Sequence, residues 1–119
     1  MNEFDIPIFK KSYDLYKTFH EYYRLIPKKD RFTTYERAEN VLLDVMSGIF
    51  KAGSESRGKK ITTLEEVSVY LNLFRVLTRL MKDVKAIDNK KYTTIQGEVD
   101  EIGRMLGGWI KSLREKVPK

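Results

Sequence analysis

The sequence predicts an all-α fold, an antiparallel up-down-up-down four-helix bundle spanning residues 1–119 as a single domain. Three observations carry that expectation. Every strong apolar period has the three-to-four-residue step of one helix face, and no stretch keeps the two-residue alternation of a half-buried strand. The three prolines, Pro7, Pro27 and Pro118, fall near a chain end or between periodic segments, where a missing N–H does not interrupt a helical ladder. Thr33 with Glu36, Thr62/Thr63 with Glu65/Glu66, and Thr93 with Gln96 have the spacing of a capping box. In that motif a hydroxyl and a side chain three residues on take orphan backbone N–H groups at a helix start. Three such starts after an N-terminal helix make four helices, and short connections make neighbours antiparallel.

The first helix is expected from about Ile6 to Ile26, with Asp5 as N-cap and Pro7 in its first turn. Its inner stripe is Ile8, Ser12, Leu15, Phe19, Tyr22 and Ile26, and a second row beside it reads Phe9, Tyr13, Tyr16, His20 and Tyr23. The second helix is expected from about Thr34 to Ala52, with Ala38, Leu42, Val45, Ile49 and Ala52 inward and Gly53 as its stop. Ser54–Lys60 then reads as a polar loop. The third helix is expected from Leu64 to Ala86. It is apolar or aromatic at 64, 67, 69, 70, 71, 73, 74, 76, 77, 80, 81 and 84, which leaves a narrow polar strip of Ser68, Asn72, Arg75, Arg79 and Lys82. A helix facing one core needs an apolar stripe only somewhat over about 100° wide. This one exceeds it.

The fourth helix is expected from Thr94 to about Lys116, with Ile95, Val99, Ile102, Leu106, Trp109 and Leu113 as its seam. It carries Gly97, Gly103, Gly107 and Gly108, each costing up to about 1 kcal/mol against alanine in a helix interior. Two readings of that cost stand: close approach of a neighbouring backbone at Gly103 and Gly107, or room for Trp109.

Composition narrows the chemistry. With no cysteine, disulfides, thiol catalysis and zinc–thiolate sites are excluded, and a reducing, cytoplasmic setting is expected. Met1–Asp5 is acidic and lacks the pattern of a signal peptide, and no apolar run is long enough to suggest a membrane span. His20 is the sole histidine and no phosphate-binding glycine loop or serine-nucleophile motif occurs. The paired carboxylates Glu65/Glu66 and Asp100/Glu101 are adjacent on a helix and do not face each other. A non-enzyme without cofactor or metal is expected.

The net charge of +6, from 23 Lys+Arg against 17 Asp+Glu, favours polyanionic partners. Lys10, Lys17 and Arg24 interleave with Asp14 and Glu21 and read as a solvated face of ion pairs. The candidate nucleic-acid surface is the strip Arg75, Arg79 and Lys82, which has no acid inside it, together with Lys28, Lys29 and Arg31; Arg104, Lys111 and Arg114 add charge on the fourth helix. A small bundle cannot bury both the outer side of the third helix and the aromatic row of the first, and contiguous apolar patches mark interfaces. A homo-oligomer is therefore expected, joined through Phe9, Tyr13, Tyr16 and Tyr23 or through Val69, Leu73, Val76 and Leu80.

Four segments carry a resemblance: Tyr13-Asp-Leu-Tyr, Pro27-Lys-Lys-Asp-Arg-Phe-Thr, Glu36-Arg-x-Glu-Asn-x-Leu-Leu-Asp, and Gly103-Arg-Met-Leu-Gly-Gly-Trp-Ile-Lys. They resemble the accessory variability determinant (Avd) proteins of diversity-generating retroelements. A related group, encoded in intervening sequences of 23S ribosomal RNA genes, shares the bundle, but its Asn-Ile-Ala-Glu-Gly signature is replaced here by Ile49-Phe-Lys-Ala-Gly. The resemblance implies a basic, barrel-like homopentamer that binds the element's reverse transcriptase and nucleic acid, RNA or DNA, during mutagenic retrohoming. A protein-interaction scaffold of the ribosomal type, with no direct nucleic-acid role, is the competing expectation.

Overall fold

The computed structural model describes residues 6–115, and all its regular elements are helical. Helix α1, Pro7–Glu21, tightens into a 3₁₀ turn, Tyr22–Leu25, before Ile26 becomes extended. Helix α2 covers 28–53 in three stretches: an α turn Lys28–Asp30, a π-helical turn Arg31–Tyr35, and the α-helix Glu36–Gly53. Helices α3, Arg57–Asp83, and α4, Asn89–Glu115, are 27 residues each, roughly 40 Å at 1.5 Å per residue. Each helix packs against its neighbour in sequence and α1 closes the ring on α4, giving an elongated body of 53 × 25 × 21 Å. The expected bundle is what the chain forms.

The inner stripes lie where periodicity placed them, except that Tyr22, Trp109 and Leu113 are only half-buried against the core. Ile8, Ser12, Leu15, Phe19 and Ile26 of the first segment, the Ala38–Ala52 row of α2, and Ile95, Val99, Ile102 and Leu106 of α4 are all buried. Leu64, Val67, Leu71, Phe74 and Met81 complete the core from α3. Phe19 sits near its middle, stacked on Tyr35 at 4.8 Å between ring centroids and edge-on to Phe74 at 5.2 Å. Helices α2 and α3 are in close contact at Gly48, where an added Cβ would overlap the Cγ2 methyl of Val67.

The helix starts differ from expectation, for one shared reason. Thr33, Thr62/Thr63 and Thr93, the expected caps, all lie inside helices. Thr33 and Thr62 donate their hydroxyls backwards, to the carbonyls of Lys29 (3.3 Å) and Gly58 (3.4 Å), as Thr94 beside Thr93 does to that of Lys90 (3.1 Å). That is how threonine is accommodated in mid-helix, so a Thr-x-x-Glu spacing marks no start here. Pro27, with ψ at 142°, leads straight into α2 six residues early, and Ser56, with ψ at 160°, leads into α3, which shortens the expected 54–60 loop. Helix α4 begins at Asn89, not Thr94, because the Asp88 carboxylate accepts the Lys91 N–H at 2.8 Å and caps it. The expected cap at Asp5 and end at Lys116 lie outside the described residues.

Two glycine expectations also change. Gly53 ends α2 without the left-handed conformation expected of a glycine stop; that conformation belongs to Lys85, at φ 65°, after α3. There the Ala86 N–H reaches the Met81 carbonyl at 2.7 Å and the Lys85 N–H reaches that of Lys82 at 3.0 Å, the paired bonds of a Schellman motif. On α4, a Cβ at Gly97, Gly107 or Gly108 would meet open space, and one at Gly103 ordinary contact with Arg75 and Leu71. Within the subunit, neither a close backbone nor Trp109 fills the room these glycines leave.

Candidate nucleic-acid interface and assembly surface

The nine basic candidates separate according to what their charge already touches. On α4, Arg104 pairs with Glu101 at 2.5 Å, Lys111 with Glu115 at 3.9 Å, and Arg114 reaches across to Glu65 on α3. The Arg104 guanidinium hydrogen-bonds Glu101 and holds that carboxyl below its usual range. The α3 strip is not acid-free in three dimensions. Asp100 of α4 pairs with Arg75, which also lies 3.5 Å from Gln96 Oε1, and Gln96 in turn donates to the fully buried Thr78 hydroxyl at 2.8 Å. Lys82 stands 3.7 Å from Asp83 and over the Tyr92 ring at 4.6 Å. Arg79 is exposed and has no carboxylate partner among the described residues.

At the α1–α2 connection, Lys28 and Lys29 project from the first turn of α2 and are exposed. Arg31 is half-buried and structurally committed. Its Nε donates to the Ile26 carbonyl at 2.8 Å, an Nη to that of Arg24 at 3.4 Å, and its plane lies over Tyr23 at 5.1 Å. The guanidinium thus closes the carbonyl end of the 3₁₀ turn. The same end of the bundle also carries Lys85, Lys90 and Lys91, which sequence reasoning passed over. Asp88-Asn89 was the available signal, since an Asp just before a periodic segment marks a helix start and brings its first turn to this corner.

The two apolar rows expected at an interface have different fates. Phe9 is buried within the subunit, 6.3 Å from Tyr13 and 6.2 Å from Phe50 between ring centroids. Tyr16 and Tyr23 are half-buried: the first donates to Glu39 at 3.3 Å, the second packs on Tyr35 at 5.4 Å. Of this row, Tyr13 keeps the most exposed ring, because α2 has supplied partners for the others. On the outer side of α3 only Leu73 packs against the core. Val69 is 66% exposed, Val76 62% and Leu80 42%, with Leu73 half-buried between them and Val84 open at the helix end. Steps of four and three residues put 69, 73, 76 and 80 on one stripe.

His20 and Glu39 form the one other polar grouping of note. Tyr35, deeply buried, directs its hydroxyl at both the Phe19 carbonyl (3.1 Å) and Glu39 Oε2 (3.2 Å), while His20 Nδ1 lies 3.4 Å from the same oxygen. Burial first, and the Glu39 charge second, push the Tyr35 and Tyr16 hydroxyls up. Nothing here resembles an activated nucleophile, since a phenol held protonated is a structural donor. Among the described residues no group of three or more His, Cys, Asp or Glu side chains is placed to hold a metal, and no helix is long and apolar enough to cross a membrane.

The family described as bAvd-like matches residues 7–113 of the chain. No curated protein and no solved structure matches it. With nearly its whole length covered, the chain belongs to the bAvd-like family.

Proposed function

We propose that this bAvd-like chain is a non-catalytic accessory protein of a diversity-generating retroelement. It acts in the cytoplasm as a homo-oligomeric ring, a pentamer, that binds the element's reverse transcriptase together with template RNA or cDNA during mutagenic retrohoming. The family match over residues 7–113 carries the proposal. The exposed α3 stripe supplies a surface for self-association, and the net charge of +6 suits a polyanion.

The test is co-expression with the reverse transcriptase, capture of the polymerase, and mass determination of the complex. Stoichiometric recovery of this chain as a multiple of its 14.0 kDa mass is expected; recovery of the polymerase alone contradicts the proposal. For nucleic acid, affinity is expected to fall roughly a thousandfold between low and moderate salt if six or more phosphates are contacted.

A protein-interaction scaffold of the ribosomal intervening-sequence type is the second reading. One observation favours it: Arg75, Arg104, Lys111 and Arg114 already hold carboxylate partners within the subunit. Tight association with the polymerase in the absence of any salt-sensitive nucleic-acid binding is the result this second reading expects.

A further inference from the structure

The bundle end that carries the α1–α2 and α3–α4 connections contains a cleft of about 590 Å³. Its composition is divided. Leu25, Pro27 and Ile87 give it an apolar wall, whereas Lys82, Lys85 and Lys91 line its rim. Leu25 is 57% exposed, the most open leucine among the described residues. One carboxylate shares the rim, Asp88, and it is engaged twice by Lys91, through the backbone N–H and through Nζ, each at 2.8 Å. Tyr22 lies 5.9 Å from the Lys91 ammonium and Tyr92 lies 4.6 Å from that of Lys82, which also stands 3.7 Å from Asp83.

Lys85 is the telling residue. It occupies the left-handed position after α3 where glycine is the unstrained choice. It has no carboxylate partner among the described residues, so no ion pair within the subunit offsets the strain. Backbone strain of this kind concentrates at ligand-binding positions. Here the Schellman motif imposes it, and Lys85 lines the cleft just ahead in sequence of the residues that open α4.

We propose that this cleft binds one nucleotide unit, its base lying against Leu25, Pro27 and Ile87 and its phosphate oxygens meeting Lys82, Lys85 and Lys91. The inference rests on the nucleic-acid part of the function proposed above and names a place for it. Ammonium groups serve phosphate as point charges, and Asn89 is the one amide side chain in the lining beside the apolar wall. Phosphate contact of this kind carries no base preference of its own. The volume lies in the range of small-molecule sites. A free nucleotide and a nucleotide within a strand present this same chemistry.

The test uses the full chain in its native assembly with isotopically labelled Ile, Leu and Val methyl groups, titrated with UTP, uridine, inorganic triphosphate and a short oligoribonucleotide. UTP is expected to shift the methyl signals of Leu25, Ile26 and Ile87, not those of Val69 and Val76, and to bind about fivefold or more tighter than uridine or triphosphate. Lys85→Gly is expected to weaken UTP at least about threefold while leaving the melting temperature unchanged or higher, so the loss is not one of folding. Leu25→Ser is expected to bring UTP down to the affinity of triphosphate. Competition by the oligoribonucleotide at the same methyls assigns the cleft to a strand, and its absence assigns it to a free nucleotide.

Shifts scattered over all four helices, triphosphate binding as tightly as UTP, or indifference to Lys85→Gly each overturn the proposal. A long single strand that binds in a salt-sensitive way but ignores both substitutions overturns the cleft alone and leaves the nucleic-acid reading standing. UTP seated in the cleft of a protein with no affinity for long strands removes that reading and upholds the cleft.

Discussion

Leu64, Val67, Leu71, Phe74 and Met81 on one side of α3 are almost wholly covered, whereas Val69, Val76, Leu80 and Val84 on the other side face solvent. The two sides are alike in residue type and in spacing, so neither propensity nor periodicity separates them. What separates them is the presence of α2 and α4 on one side only. Burying a valine or leucine side chain is worth about 1.5–3 kcal/mol. The inner side realises that gain in the subunit, and the outer side does not. The aromatic row of α1 is the contrast case, since Phe9, Tyr16 and Tyr23 find their partners on α2.

The comparison predicts graded effects. Phe74→Ala removes a ring packed edge-on to Phe19 and is expected to cost about 3–5 kcal/mol in urea unfolding. Val76→Ala, on the outer side of the same helix, is expected to change the subunit's own stability by no more than about 0.5 kcal/mol. A large loss at Val76 in a monomeric sample would break the distinction between the two sides.

Gly48→Ala tests a close inner contact between α2 and α3. The added methyl would overlap Val67, a stiff β-branched side chain, and the expected cost is about 1–3 kcal/mol. Thermal melting that matches the parent protein would mean that α2 and α3 separate there more freely than the structure implies.

Tyr35→Phe removes a buried hydroxyl from the α1–α2 seam and is expected to cost about 1 kcal/mol. The same group sets an alkaline limit. Because burial, then Glu39, raises the Tyr35 and Tyr16 hydroxyls above their ordinary value of 10.0, their contribution is intact below that value. It is lost as pH climbs further, since the unfolded chain ionises first. Chemical denaturation across pH 9 to 11 is expected to show falling stability, with a shallower fall in Tyr35→Phe.

Lys85→Gly acts in the opposite direction, relieving a left-handed lysine, and a gain of about 0.5–1 kcal/mol is expected from the denaturation midpoint. Only Val76→Ala is expected to do less.

Much of this was legible in the sequence, and the failures are specific. Apolar residues at helical steps located the inner stripes of α1, α2 and α4 but not that of α3, because burial selects residue type directly and α3 is apolar on both sides. Helix starts were misplaced because the threonines read as caps lie within helices, Thr33 and Thr62 bonding backwards, while Pro27 reads as a helix stop and the other residues that stand before starts, Ser56 and Asp88, were passed over. The basic surface was legible as charge but not as available charge. Asp100 lies 25 residues from Arg75 and Glu65 lies 49 from Arg114, separations that only packing brings together. Lys85 gave no signal at all, because its backbone conformation is imposed by the Schellman motif around it.

The outer side of α3 bears the central claim, and sedimentation velocity of the wild-type chain beside a Val76→Asp/Leu80→Asp variant tests it directly. At micromolar concentration the wild type is expected to sediment as a defined multiple of 14.0 kDa, and the variant as a single subunit with undiminished helical circular dichroism. A wild-type chain that sediments as a single subunit, or a variant that retains the full assembly, would contradict the account.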